Sequence, residues 1–157
     1  MKFIHTADWH LGKLFYGEYL TENQEWILKN RFLPILDEEK PDTVILAGDV
    51  YDRSVPPAEA VMLFDEMISE IVGKRHLPFL VISGNHDSAE RISFAGSILK
   101  NSGLYIYGDL KRTEPVILKD EYGEVGFVPI PYAEPGKVRE ALGIDVHTHE
   151  EAELALS

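Results

Sequence analysis

The sequence predicts an α/β fold with a mainly parallel first sheet covered by helices and a smaller, mixed second sheet. Two observations point there. Apolar runs rich in β-formers alternate with amphipathic stretches from Phe3 to Leu99, the pattern of successive βαβ units. Three polar clusters, Asp8-Trp9-His10, Gly48-Asp49 and Gly84-Asn85-His86-Asp87, each follow such a run directly. Neighbouring parallel strands would bring all three to one carboxyl edge, where open α/β sheets keep their chemistry.

Residues 2–6 form a short β-run, followed by a loop rich in glycine and aromatic residues over 11–20. Thr21 is placed to cap a helix with Glu22 and Glu25 in its first turn, and Trp26, Ile27, Phe32 and Leu33 fall on one face. Pro34 kinks that helix or ends its first part, with Ile35 and Leu36 still directed inward. Pro41-Asp42 turns the chain into Thr43–Ala47, an almost wholly apolar run suited to a sheet covered on both faces. Pro56 and Pro57 open a second helix carrying Val61, Met62, Phe64, Met67, Ile68 and Ile71, which Gly73 stops. Residues 78–83 are the third strand. Ser88 caps a helical segment over 89–99 that offers Ile92, Phe94, Ile98 and Leu99 for burial. Beyond Asn101, short strands at 104–107, 115–119 and 124–129 suggest the second sheet or a mixed edge, and Pro129, Pro131 and Pro135 preclude long regular structure. Short helices close the chain over 138–142 and 149–156. Crossovers between parallel strands should be right-handed.

A chain of 157 residues lies in the single-domain range, and 45% hydrophobic with 27% charged residues is globular composition rather than disorder. The absence of cysteine removes disulfides and thiolate ligands, leaving any metal to Asp, Asn, Glu and His. Fifteen basic against 27 acidic residues give a net charge of -12, which argues against broad electrostatic attraction to nucleic acid. A local site whose positive charge comes from bound cations stays open. Asp8 comes too early for a signal peptide and no apolar run reaches bilayer length, so a cytoplasmic protein with no membrane attachment is expected.

In extended backbone Asp8 and His10 share one face while Trp9 takes the other, so the pair can chelate one divalent cation. Asp49 ends a buried strand, where an isolated carboxylate is costly. It either caps backbone donors of the 50–54 loop or bridges two cations about 3.5–4 Å apart. Asn85 offers a neutral amide oxygen to a hard cation, and Asp87 is placed to orient His86; the bland alternative is a polar turn capping the next helix.

The phrases Asp8-Trp9-His10-Leu11-Gly12, Gly48-Asp49-Val50-Tyr51-Asp52 and Gly84-Asn85-His86-Asp87-Ser88 resemble the calcineurin-like metallophosphoesterase family, most closely its DNA-repair exonuclease branch, that of the bacterial SbcD nuclease subunit. The resemblance runs to about Pro131. It implies a partial metallophosphoesterase sandwich holding two divalent cations, manganese first and magnesium as the alternative. Asp8 and His10 would serve one metal, Asp49 the bridge and Asn85 the second metal, with His86 catalytic beside the scissile phosphate and Asp87 supporting it. It further implies exonuclease and endonuclease action on DNA in double-strand break processing, a homodimer, and an SMC-like ATPase partner, SbcC in bacteria. Family members carry a later metal-binding histidine and a Gly-His-x-His element; neither is placed here, so residues 1–157 are expected to be an N-terminal part with weakened metal binding and little activity alone. His147-Thr148-His149 has ligand-like spacing, but Val146 stands where glycine is expected, and neither histidine is assigned as a ligand. Arg53, Ser54, Lys13, Tyr16 and Arg91 are candidate DNA contacts by their nearness to the clusters, and Val61, Phe64, Ile92 and Phe94 a candidate dimer surface. A phosphoesterase acting on small substrates and a non-catalytic dimerisation fragment are the alternative functions.

Overall fold

The structure, a computed structural model, describes residues 1–156. Strand β1 (Phe3–Ala7) leads to a tight hairpin, β2 (Leu14–Phe15) with β3 (Glu18–Tyr19). Helix α1 (Thr21–Ile27) passes through a π-helical turn, Leu28–Phe32, into α2 (Leu33–Glu39), and β4 (Thr43–Ala47) follows. Helix α3 (Ala58–Ile68) ends in a second π-helical stretch, Ser69–Lys74, before β5 (Phe79–Ile82). Two single-turn helices, α4 (Ala89–Ile92) and α5 (Gly96–Leu99), cross to β6 (Leu104–Tyr107). The hairpin β7 (Val116–Asp120) and β8 (Gly123–Phe127) and the helices α6 (Pro135–Leu142) and α7 (His149–Leu156) complete the chain.

The main sheet runs β1-β4-β5-β6, parallel throughout. Its register aligns Ile4, Val44, Phe79 and Leu104 across the four strands, and two residues on Thr6, Leu46, Val81 and Ile106. With a side-chain period of two these rows share one face. That face meets Leu28, Leu33 and Leu36 of the first helical segment and Leu63, Phe64, Met67 and Ile71 of the second in one apolar core. β6 therefore belongs to the parallel sheet, as a third βαβ unit, rather than to the second sheet; the antiparallel β7–β8 pair forms that smaller sheet.

Several helical details differ from the sequence reading. Leu20, not Thr21, is the N-cap of α1, and no side chain caps it. Trp26, Ile27 and Ile35 are exposed while Leu28, Leu33 and Leu36 are buried, because the π turn between them shifts the register away from a 3.6-residue stripe. The same wide turn precedes Pro34, which lacks the N–H to continue the ladder, and the helix runs on past it as α2. Gly73 lies inside the second helical stretch, which runs on to Lys74; left-handed His76, at φ 54°, turns the chain beyond it. Val61 and Met62 face outward. Ser88 does cap α4, its hydroxyl accepting the Arg91 N–H at 3.4 Å, but left-handed Ala95 breaks the segment and leaves Phe94 and Ile98 exposed.

Arg75 ties α2 to the end of the second helical segment, donating to both oxygens of Asp37 at 2.7 and 2.9 Å and to Glu70 at 2.9 Å. The guanidinium holds Asp37 below the ordinary carboxylate range, and Lys74 with Arg75 does the same for Glu70. A carboxyl depressed in the folded state adds stability above its unfolded pKa and loses it as pH falls through the folded value. Arg75→Gln is thus expected to lower the thermal midpoint near neutral pH and to have little effect at about pH 3, followed by circular dichroism. Among the described residues, no helix is long and apolar enough to cross a membrane.

Candidate metal centre

The carboxyl ends of β1, β4 and β5 deliver the three polar clusters to one edge of the sheet, and their loops are stitched together by backbone. His10 N–H donates to the Asp49 carbonyl at 2.9 Å, Leu11 N–H to Val50 at 2.9 Å, and Asp52 N–H to Leu11 at 3.1 Å, so the first two loops pair beyond the strands. The Asp87 carboxylate joins the second and third loops, accepting the N–H groups of Val50, Tyr51 and Gly84 at 2.9–3.0 Å. Asp49 Oδ1 accepts the His86 N–H at 2.9 Å.

Seven described non-glycine residues have positive φ, and Asp8 (52°), His10 (44°) and Asp49 (28°) are three of them. Left-handed backbone at L-residues is strained and persists only where surrounding structure enforces it, which is why it gathers at functional sites. Asp8 and His10 consequently meet through turns rather than by the alternation of an extended strand. Trp9 still takes the opposite side, packed edge-on against Phe32 and Phe64 and tilted against Phe79, with its indole N–H on Thr6 Oγ1 at 2.9 Å.

Two groups of metal-capable side chains share His10. The ligand atoms of Asp8, His10 and Asp49 lie within 4.8 Å of one another, as do those of His10, Asp52 and His86. His10 Nε2 is 3.6 Å from Asp49 Oδ2 and its Nδ1 is 3.5 Å from Asp52 Oδ1. The Nδ1 atom is buried without a hydrogen-bond partner. An orphaned imidazole nitrogen among hard carboxylates is the donor set of a divalent cation such as manganese or magnesium, and the residues fit one. Asp49 is 7% exposed and caps no donor of the 50–54 loop, where Asp87 takes that part. Asn85 lies exposed on the third loop between Gly84 and His86.

Adjacency in sequence leaves open whether Asp87 bonds the His86 ring. In the structure both Asp87 oxygens lie on backbone N–H groups, and His86 Nδ1 instead meets the Asp52 carbonyl oxygen at 2.8 Å. Burial pushes the Asp87 carboxyl up, its three N–H donors pull it down, and the charge of Asp49 pushes it up again. Tyr51 beneath is pushed up to about 12, chiefly by burial. The His10 and His86 rings meet edge-on, 5.0 Å between centroids.

Two residues escape the sequence reading. Asp52 joins the second group and holds Lys13 at 3.3 Å; its signal lay three positions after Asp49 in the second motif. Gln24, from α1, has no local signal at all, yet bonds the first loop three times.

Of the candidate DNA contacts, Lys13 is paired with Asp52, and Arg53 is exposed immediately after it. Tyr16 is 93% exposed at the tip of the β2–β3 hairpin. Ser54 and Arg91 line a groove of about 330 Å³ together with Val61, Phe64, Ile92 and Phe94. In that groove Phe64 and Ile92 are largely buried in the core, whereas Val61 and Phe94 are exposed. His147 lies between Arg139 and Asp145, and His149 stacks on Tyr132; neither joins the metal-capable groups.

A parallel α/β sheet with carboxylates and imidazoles gathered at its carboxyl edge is a candidate centre for one or two divalent cations. The family model for calcineurin-like phosphoesterase matches residues 1–150, and the chain belongs to that family.

Proposed function

We propose that this domain is the nuclease part of a manganese-dependent enzyme that cleaves DNA phosphodiesters in double-strand break processing. The observation that carries the reading is the convergence of Asp8, His10, Asp49, Asp52 and His86 on one sheet edge; the choice of DNA rests on the likeness of the three motifs to the exonuclease branch. Asp8, His10, Asp49 and Asn85 would hold two divalent cations, which supply charge neutralisation and an activated water when bound. His86 Nδ1 meets the Asp52 carbonyl at 2.8 Å, and as the donor there it leaves Nε2 as the nitrogen that can exchange a proton. That nitrogen is the one placed to hold a proton near the leaving oxygen. Arg53 is the exposed cation on the adjoining loop and serves the phosphate backbone. The groove bearing Val61 and Phe94 is read as the contact face of a homodimer, and an SMC-like ATPase as the further partner.

Four ligands shared by two cations leave open positions, so manganese calorimetry on this chain is expected to show weak binding that Asp49→Asn removes. Cleavage of a DNA hairpin or duplex end is expected to be slow and manganese-dependent. Hydrolysis of bis(p-nitrophenyl) phosphate with none of DNA would replace the nuclease by a small-substrate phosphoesterase, and dimerisation without manganese binding by a non-catalytic interaction fragment.

A further inference from the structure

Gln24 is the one side chain of α1 that reaches the metal centre's backbone. Its Nε2 donates to the carbonyl of Trp9 at 3.0 Å and to that of His10 at 2.9 Å, and its Oε1 accepts the Gly12 N–H at 3.1 Å. Consecutive carbonyls of an extended strand point to opposite sides. Here they converge on one amide because His10 is left-handed. The other edge of the same residue is fixed by the second loop, with His10 N–H on the Asp49 carbonyl. Held from both sides, the His10 backbone leaves only its side-chain rotations to aim the imidazole shared by both metal-capable groups.

Resting on the reading of Asp8, His10 and Asp49 as metal ligands, we propose that Gln24 is a positioning residue that enforces the strained His10 backbone and so presets its imidazole for the cation. It touches neither the cation nor the substrate. Its planar amide suits this role, since two donors meet two carbonyls and one acceptor meets the remaining N–H. Groups that orient a ligand without binding the metal typically change affinity about 10- to 100-fold when removed.

The test uses manganese alone as the probe, on the whole chain, with calorimetry for affinity and amide hydrogen exchange at Gly12 in the metal-free protein. Gln24→Met keeps length and helix propensity while removing all three bonds. Gln24→Glu keeps the acceptor for Gly12 but sets an oxygen against two carbonyls. Both are expected to raise the manganese dissociation constant about 10-fold or more. Gly12 exchange should accelerate in the first variant and stay slow in the second. Asn30→Leu, which removes a side-chain amide bond to the Trp26 carbonyl in the same helical segment, should leave both readouts at parental values. Parental manganese affinity in a folded Gln24→Glu protein overturns the proposal, as does equal weakening by Asn30→Leu. A parent that binds no manganese overturns the metal-site reading itself, and shows before any variant is made.

Discussion

Gly84→Ala is expected to abolish manganese binding and to destabilise the fold by about 3 kcal/mol or more, the scale of overpacking where nothing can yield. A Cβ at this position would fall 2.0 Å from Asp49 Oδ1, 2.3 Å from the Asp49 backbone nitrogen and 2.7 Å from its Cγ. Two of these atoms belong to the carboxylate that a cation would use, and the third to the backbone of the second loop. Retreat is blocked on both sides: Asp87 pins Gly84 N–H to the same loop, and the His86 N–H holds Asp49 Oδ1 from beyond. The methyl must therefore break the Asp49–His86 bond or part the two loops, and either moves a ligand. Gly136→Ala is the matched control, because that glycine lies within α6 with only Arg139 as a neighbour, at 3.8 Å. There alanine should stabilise by about 0.5–1 kcal/mol through helix propensity. Urea melts and manganese calorimetry on the two variants should move apart, and parental affinity in Gly84→Ala would show that the loops yield.

The same physics decides which parts of the fold the sequence makes legible. Thr43–Ala47 and Phe79–Ile82 are legible because apolar runs bounded by proline announce buried strands, and the clusters are legible because they follow such runs. Periodicity reports burial but not pairing partner, so β6 is visible as a strand and invisible as the fourth member of the parallel sheet. The π turn at Leu28–Phe32 answers to packing against the sheet, and it moves Trp26 and Ile27 out of the core that a regular helix would give them. Asp87 shows the limit for the site: its partners Val50 and Tyr51 lie 37 and 36 positions away, and no local pattern reveals that its oxygens serve backbone rather than imidazole. Gln24 is hidden for the same reason, its bonds to the first loop spanning 12 to 15 positions.

Asp49→Asn and Asp87→Asn should move the stability of the metal-free protein in opposite directions. Asparagine at 49 can keep the oxygen that accepts His86 N–H, while it removes a negative charge within 4.8 Å of the Asp8 carboxylate. Two unit charges at that separation repel by about 1–3 kcal/mol for effective dielectric constants between water and a protein surface. The midpoint should rise while manganese binding is lost, the trade expected where a site stores unfavourable charge for a ligand. At 87 the balance reverses. Asp87 Oδ2 accepts two N–H groups, from Val50 and Gly84, and Oδ1 accepts the third, from Tyr51. Asparagine has one oxygen, so its amide NH₂ must face at least one backbone donor, and each donor left unsatisfied in a buried place costs about 1–3 kcal/mol. Burial already pushes the Asp87 carboxyl up, and a neutral side chain recovers part of that loss without supplying the missing acceptor. The metal-free midpoint should fall, and manganese binding should weaken because the second and third loops part. Thermal melts of both variants without metal therefore separate a carboxylate kept for a cation from one kept for the backbone; a rise in both would remove Asp87 from its role as the clamp between the loops.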